Sequence, residues 1–257
     1  MTGLSASGLN FAYGSRPILR DAGFEDLKPG QLTALIGPNA SGKSTLFRTI
    51  SGLLKPSSGT VHLGDTDLAT LSTRERLRRV CFMPQFFAAN AALTVFDVVM
   101  MAQKNLSGWR VNSDDMEAVG QALHSAGIGH LAEAYISELS GGQSQMVSVA
   151  QALIRLSDVY LFDEPTSALD LNHQLSVLSQ IKTAVIERQA VGIIALHDLN
   201  LAARFADRLL LLSGGRILAD GAPADVLPIP ELAATYGVDI EITQGPRKDI
   251  TVHAYSS

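Results

Sequence analysis

LTALIGPNASGKSTLFRTI, Leu32 to Ile50, decides how the rest of the chain is read. LTALIG (32–37) reads as a buried strand, and Lys43 to Leu54 as the helix that follows it. Between them, Gly37 to Ser44 fits the G-x-x-x-x-G-K-[ST] phosphate-loop pattern in the strand–loop–helix setting that pattern demands. A chance glycine-rich turn has no reason to sit there. Glycines let the backbone wrap a phosphate so that successive N–H groups face its oxygens. Lys43 is placed to reach the β- and γ-phosphates, and Ser44 to hold Mg²⁺ through its hydroxyl. Gly37, Pro38, Asn39, Ala40, Ser41, Gly42, Lys43, Ser44 and Thr45 are the expected nucleotide contacts.

Working outward, the 257 residues suffice for one large domain or two small ones, and for a substantial core. A composition 46% hydrophobic and 18% charged is that of a globular protein, not a disordered one. The net charge of −5 argues against a surface generally fitted to nucleic acid. Cys81 is the single cysteine, so nothing requires an oxidising compartment. The N-terminus lacks a cationic start followed by an apolar core, and no apolar run approaches the ~18–20 residues that cross a bilayer. A soluble, cytoplasmic chain is expected, touching a membrane only through a partner.

Short apolar runs alternate with helical patterns, which predicts an α/β fold with a mostly parallel sheet. VYLFD (159–163), VGIIALH (191–197) and RLLLLS (208–213) read as further buried strands, GRILADG (215–221) as a strand pairing with the last, and LNFAY as a half-exposed strand of an antiparallel arm. From about Leu93 to Ile154 the pattern is almost wholly helical, a subdomain inserted between strands. The tail, ELAATYGVDIEITQGPRKDITVHAY, reads as a short helix and two strands without recognisable chemistry. TRERLRR (73–79) is either a basic face for anionic lipid or a partner's loop, or a solvated helix in which Glu75 pairs with Arg79; the second is the commoner case.

VYLFDE brings Asp163 out at the C-terminal end of its strand, where ligands bind in open α/β sheets. Asp163 is the expected Mg²⁺ ligand, and Glu164 the general base for an attacking water; the bland alternative makes Glu164 a structural carboxylate. His197 ends a strand at the same edge and is placed to bond a γ-phosphate, though a lone strand-end histidine is more often structural. Gln85 offers a neutral amide for Mg²⁺ or the water, and Tyr13 a ring for adenine; alone, each reads as a loop polar residue or ordinary packing. ELSGGQ (138–143) poses a separate question. Ser140 and Gln143 form an S-x-x-Q capping box, which explains a helix start but not the consecutive glycines Gly141 and Gly142. A helix tip bare of side chains suits close approach of a phosphate.

With GPNASGKST first, LSGGQ next, VYLFDEP after it and a histidine beyond, the chain resembles an ATP-binding-cassette ATPase over essentially its whole length. The resemblance implies a P-loop NTPase with a RecA-like parallel core sheet, an antiparallel β arm and an inserted α-helical subdomain. One domain is then expected, with core about 1–86 and 156–230, helices about 87–155 and an extension 231–257. It implies that two copies sandwich two ATP molecules head to tail, Ser140, Gly141, Gly142 and Gln143 of one capping the nucleotide on the other. It also implies roles for Tyr13 (adenine stacking), Gln85 (coupling to the transport partner, and Mg²⁺), Ser167 to Asp170 (the dimer-crossing loop) and His197 (the switch histidine).

HDLNLAARFADRLLLLSGGRILADGAPADVL, LDLNHQ and SSGTVHLGDTDLATLS are similar to ATPases of bacterial importers for ferric siderophores, haem and vitamin B12. That implies two permease subunits, a periplasmic or lipoprotein binding protein, and a peripheral place on the cytoplasmic face of the inner membrane. Three departures stand out: Ser144 and Met146 where the signature is usually followed by arginines, Ala40 where glycine is commoner, and Ala102-Gln103-Lys104 where relatives often read GR-x-P. The alternatives are a soluble non-transport cassette ATPase and an ATP-binding regulator with weak hydrolysis.

Overall fold

Strands buried on both faces dictate the centre of this protein, and everything else is laid over them. The computed structural model describes residues 3–85, 92–104, 108, 110–245 and 250–256. An antiparallel hairpin, β1 (Leu4–Tyr13) and β2 (Arg16–Leu27), comes first. β3 (Leu32–Ile36) and α1 (Lys43–Ser51) flank the phosphate loop, and α1 stops short of Leu54 at Gly52, whose φ is 82°. β4 (Ser58–Leu63) and β5 (Thr66–Asp67) complete an antiparallel arm ordered β2-β1-β4-β5. After α2 (Thr73–Arg79) and β6 (Val80–Met83) come the helices α3 (Val95–Lys104), α4 (Ser113–Ser125) and α5 (Gly141–Ile154). The chain then alternates through β7 (Val159–Asp163), α6 (Leu171–Glu187), β8 (Val191–Ala195), α7 (Leu199–Phe205), β9 (Arg208–Ser213) and β10 (Arg216–Gly221). It closes with α8 (Pro223–Val226), α9 (Pro230–Tyr236) and the hairpin β11 (Val238–Gln244) and β12 (Ile250–Ser256).

The main sheet has the order β10-β9-β3-β8-β7-β6, parallel except at the antiparallel edge strand β10. Side chains alternate across it with period two. Leu32, Ala34, Ile36, Tyr160, Phe162, Ile194, Leu209 and Leu211 join one apolar cluster, which runs on into α3, α4 and α5 through Val95, Val99, Val119 and Val147. Leu35, Val159, Leu161, Ile193, Leu210 and Leu212 join the other, with α1 and the arm. Burial on both faces requires strands apolar at nearly every position, as β3, β7 and β8 are. The helices α3–α5 have no separate core; they extend the core of the sheet.

Three expectations change. β8 ends at Ala195, so His197 stands on the loop beyond the strand, not in it. TRERLRR is a helix, but not simply a solvated one: Glu75 closes a capping box with Ser72, and Arg79 Nε lies 3.8 Å from Asp158. Half-buried Arg76 donates through Nη2 to the carbonyls of Thr49 (3.0 Å) and Ile50 (2.9 Å), tying off the C-terminus of α1. The tail has its expected helix and two strands, yet Tyr236, the last residue of α9, reaches the phosphate loop. The expected core–subdomain junction at 86–87 lies outside the described residues.

Candidate functional site

The phosphate loop is built by close backbone contact. Gly37 adopts φ 148°, and a Cβ there would stand 2.1 Å from the carbonyl oxygen of Leu212, so only glycine fits. Gly42 starts α1 at φ 112° with no side-chain cap, which leaves the first N–H groups of the helix for an incoming anion. Ala40 sits at φ 62°, a left-handed conformation that glycine would adopt without strain. Lys43 is buried, and its ammonium donates to the carbonyls of Gly37 (2.7 Å) and Pro38 (3.2 Å). Burial pushes its pKa down, and the charges of Glu164 and Asp163 oppose that shift. The lysine is thus held in place by bonds that a phosphate can replace.

Strand order assembles the rest. Along the C-terminal edge, β3, β8, β7 and β6 lie side by side, so Gly37, His197, Asp163 with Glu164, and Gln85 follow in that order. Glu164 has φ 53°, an uncommon conformation for a residue with a side chain and one often stored at functional sites. Gln145 Nε2, on α5, and the Ser167 hydroxyl each donate to its carbonyl at 3.2 Å. Its carboxylate is gripped twice: Gln85 Nε2 donates to Oε2 at 2.6 Å, and His197 Nε2 lies 2.5 Å from Oε1. Asp163 is buried near the Ser44 hydroxyl, and its Oδ1 has no hydrogen-bond partner. Burial pushes that carboxyl up, and the neighbouring Ser44 hydroxyl opposes the shift.

A cavity of about 570 Å³ is lined by Asn39, Ala40, Ser41, Gly42, Lys43, Ser44, Thr45, Tyr13, Gln85, Glu164 and His197. Gly37, Pro38 and Asp163, also expected at the site, are not among its lining residues. Tyr13 is 48% exposed, braced edge-on by Phe11 with ring centroids 4.9 Å apart. Sequence reasoning missed Arg16 and Ile18, which also line the cavity. Their signal was the turn that brings them back beside Tyr13. Gln145 was missed as well, since nothing in its spacing shows that it reaches Glu164.

The signature residues lie elsewhere. Ser140 and Gln143 form the expected capping box, Ser140 N–H donating to Gln143 Oε1 at 2.9 Å and Gln143 N–H to Ser140 Oγ at 3.3 Å. Ser140, Gly142, Gln143 and Asp170 line a groove of about 750 Å³ that shares no residue with the first cavity. The two glycines differ. A Cβ on Gly142 would come within 3.1 Å of the Ala168 carbonyl oxygen, whereas one on Gly141 meets nothing closer than 3.8 Å. Asp170 caps α6, accepting from His173 N–H at 2.9 Å and pairing with His173 Nδ1 at 2.8 Å, contacts that hold its carboxyl below the ordinary range. Met146 is buried in the apolar cluster, so it contributes packing where an arginine would bring charge.

Comparison with known proteins decides the family. Residues 21–167 match the family model described as ABC transporter. The chain belongs to the ABC transporter family. This ABC chain is an ATPase, and ATP is its nucleotide. It is 36% identical to the hemin import ATP-binding protein HmuV of Rhodococcus jostii, over 95% of this chain and 82% of that one. It is 34% identical to the iron(3+)-hydroxamate import ATP-binding protein FhuC of Bacillus subtilis, over 96% and 92% of the two chains. Among solved structures, the dimeric bacterial ABC transporter cassette MJ0796 matches with a TM-score of 0.79 at 25% identity, covering 86% of this ABC chain and 98% of that cassette. Among the described residues, no helix is long and apolar enough to cross a membrane.

Proposed function

We propose that this protein is the ATP-hydrolysing subunit of an importer for an iron chelate, a ferric siderophore or haem, and that it works as a head-to-tail pair on two permease subunits. One observation carries the pairing. The phosphate loop and the Ser140 helix tip line separate cavities of one chain, and Gly141 is bare although its own chain leaves room for a side chain. Each tip then faces the γ-phosphate on a second copy, as the dimeric form of the MJ0796 cassette supports. The names of the hemin and iron(3+)-hydroxamate relatives support the cargo class. A peripheral position on the cytoplasmic face of the membrane, with a binding protein delivering cargo on the far side, follows from that reading.

Asp163 Oδ1, buried and unpaired beside the Ser44 hydroxyl, fits a hard divalent cation that takes oxygen ligands and keeps its waters. Asp163, Ser44 and Gln85 would hold Mg²⁺, which would neutralise phosphate charge. Lys43 exchanges its carbonyl partners for the β- and γ-phosphates. Tyr13 stacks on adenine. Glu164 takes the proton from a water as the water oxygen bonds to the γ-phosphorus and the bond to the β–γ bridging oxygen breaks, while His197 keeps the carboxylate aimed. No part of the site calls for nucleic acid.

The test is a pair of variants. Glu164→Gln with magnesium and ATP should bind nucleotide, release no phosphate and run as a dimer in light scattering. Ser140→Arg should bind nucleotide and stay monomeric. A monomeric Glu164→Gln protein, with permease present as well as absent, removes the pairing.

A further inference from the structure

We infer that the C-terminal extension is a clasp on the nucleotide site, and that Tyr236 is a positioning residue for the phosphate loop. The Tyr236 hydroxyl accepts a hydrogen bond from the Gly37 N–H at 2.9 Å, across 199 residues of sequence. Gly37 is one residue past Ile36, the last paired residue of β3, where the sheet ladder hands over to the loop. Its carbonyl, on the other side of the same Cα, receives the Lys43 ammonium at 2.7 Å. Tyr236 therefore fixes the residue that in turn parks the lysine.

The tyrosine is itself held firmly. Leu232, one turn earlier on α9, is fully buried, and α9 stops directly after Tyr236 at Gly237, whose φ of 66° turns the chain into β11. The hairpin that follows is anchored on α7: Asn200 Oδ1 accepts from the Val252 N–H at 2.7 Å, and Asn200 Nδ2 donates to the Val252 carbonyl at 3.1 Å. Asn200 lies in the first turn of α7, three residues past His197. The extension thus spans the site from its phosphate loop to the helix behind its histidine. A glycine loop has many conformations to lose when it closes on a nucleotide. A fixed Gly37 raises the fraction of loops already competent to bind, which acts on apparent affinity and not on the chemical step.

The inference rests on the nucleotide reading of the loop, so titration of wild-type protein with ADP and with magnesium-ATP comes first. Tyr236→Phe keeps the ring and removes the acceptor. It should weaken ADP binding and raise KM for ATP by about five-fold, the worth of one net hydrogen bond, with kcat within about two-fold of wild type. Asn200→Ala, which frees the hairpin while leaving the hydroxyl, should weaken ADP in the same direction by about two- to three-fold. The double variant should bind no more weakly than Tyr236→Phe alone, because the anchor acts through the tyrosine. Wild-type affinity in Tyr236→Phe overturns the clasp, as does a Tyr236→Phe protein that only melts earlier. Additive losses in the double variant do so too. A wild-type protein that binds neither nucleotide overturns the nucleotide reading and the clasp together.

Discussion

Glu164 and His197 meet at 2.5 Å, Oε1 to Nε2, over the seam between β7 and β8, while Gln85 occupies the other carboxylate oxygen. Each oxygen keeps a second acceptor site, so the two contacts aim the carboxylate and leave room for a water. Lys43, Glu164 and His197 line the same cavity, so the residue that aims the carboxylate is not the one that holds the lysine's place in the loop. His197→Ala should therefore keep ATP affinity within about three-fold while turnover falls by about 100-fold or more, the usual span for misplacing a general base. Phosphate release and an equilibrium nucleotide titration check it. Normal turnover removes His197 from the site.

Asp163 carries a cost in the free protein. Burial holds its folded pKa above the ordinary carboxylate value. Such a group stabilises the fold where it is protonated; the contribution is complete below the unfolded pKa and lost as pH rises through the folded one. Ionised Asp163 thus penalises the nucleotide-free state at neutral pH. Asp163→Asn should raise the neutral-pH Tm of free protein by a few degrees, at ~2–4 °C per kcal/mol for a chain of this size. The same variant should lose the extra stabilisation that magnesium-ATP gives over ATP with a chelator. Calorimetry that shows a lower Tm contradicts the burial argument.

Arg76 ties α2 to α1. Its bond to Ile50 reaches a carbonyl past the last helical turn, and its bond to Thr49 adds to the one that carbonyl takes from the Gly52 N–H at 3.1 Å, at the end of the helix whose other end carries Lys43. Gly52 makes room for it, since a Cβ there would lie 2.5 Å from Arg76 Nε. Arg76→Met keeps the apolar stem and removes the bonds. It should destabilise the protein by about 2–3 kcal/mol in urea unfolding, with no change in m-value. A loss under about 0.5 kcal/mol would return this helix to the class of solvated faces.

Gly141 and Gly142 separate folding from function. Gly142→Ala presses a methyl on the Ala168 carbonyl and should lower both Tm and turnover. Gly141→Ala has space in its own chain, and alanine favours a helix over glycine by up to about 1 kcal/mol. That variant should melt no lower than wild type yet hydrolyse ATP more slowly, because the added methyl obstructs only the partner's nucleotide. Unimpaired hydrolysis by Gly141→Ala would leave the cross-subunit cap without support.

Much of the site is legible in the chain because its parts are local. The phosphate loop, the strand that delivers Asp163 and the capping box at Ser140 each depend on residues within a few positions of one another, and all appear as read. The ends of elements were less legible. The strand before His197 closes two residues early, and Arg76 leaves the solvated face to serve a helix terminus that sequence spacing does not connect to it.

By itself the sequence determined the fold class and the order of chemistry-bearing loops, because apolar periodicity, glycine placement and cap residues act over one or two turns of chain. Only the tertiary structure decided that β8 lies between β3 and β7, so that His197 falls between Lys43's loop and Glu164, and that Tyr236 reaches back to Gly37. Strand order and the docking of a tail follow from how whole faces bury one another, and no short stretch of residues carries that choice.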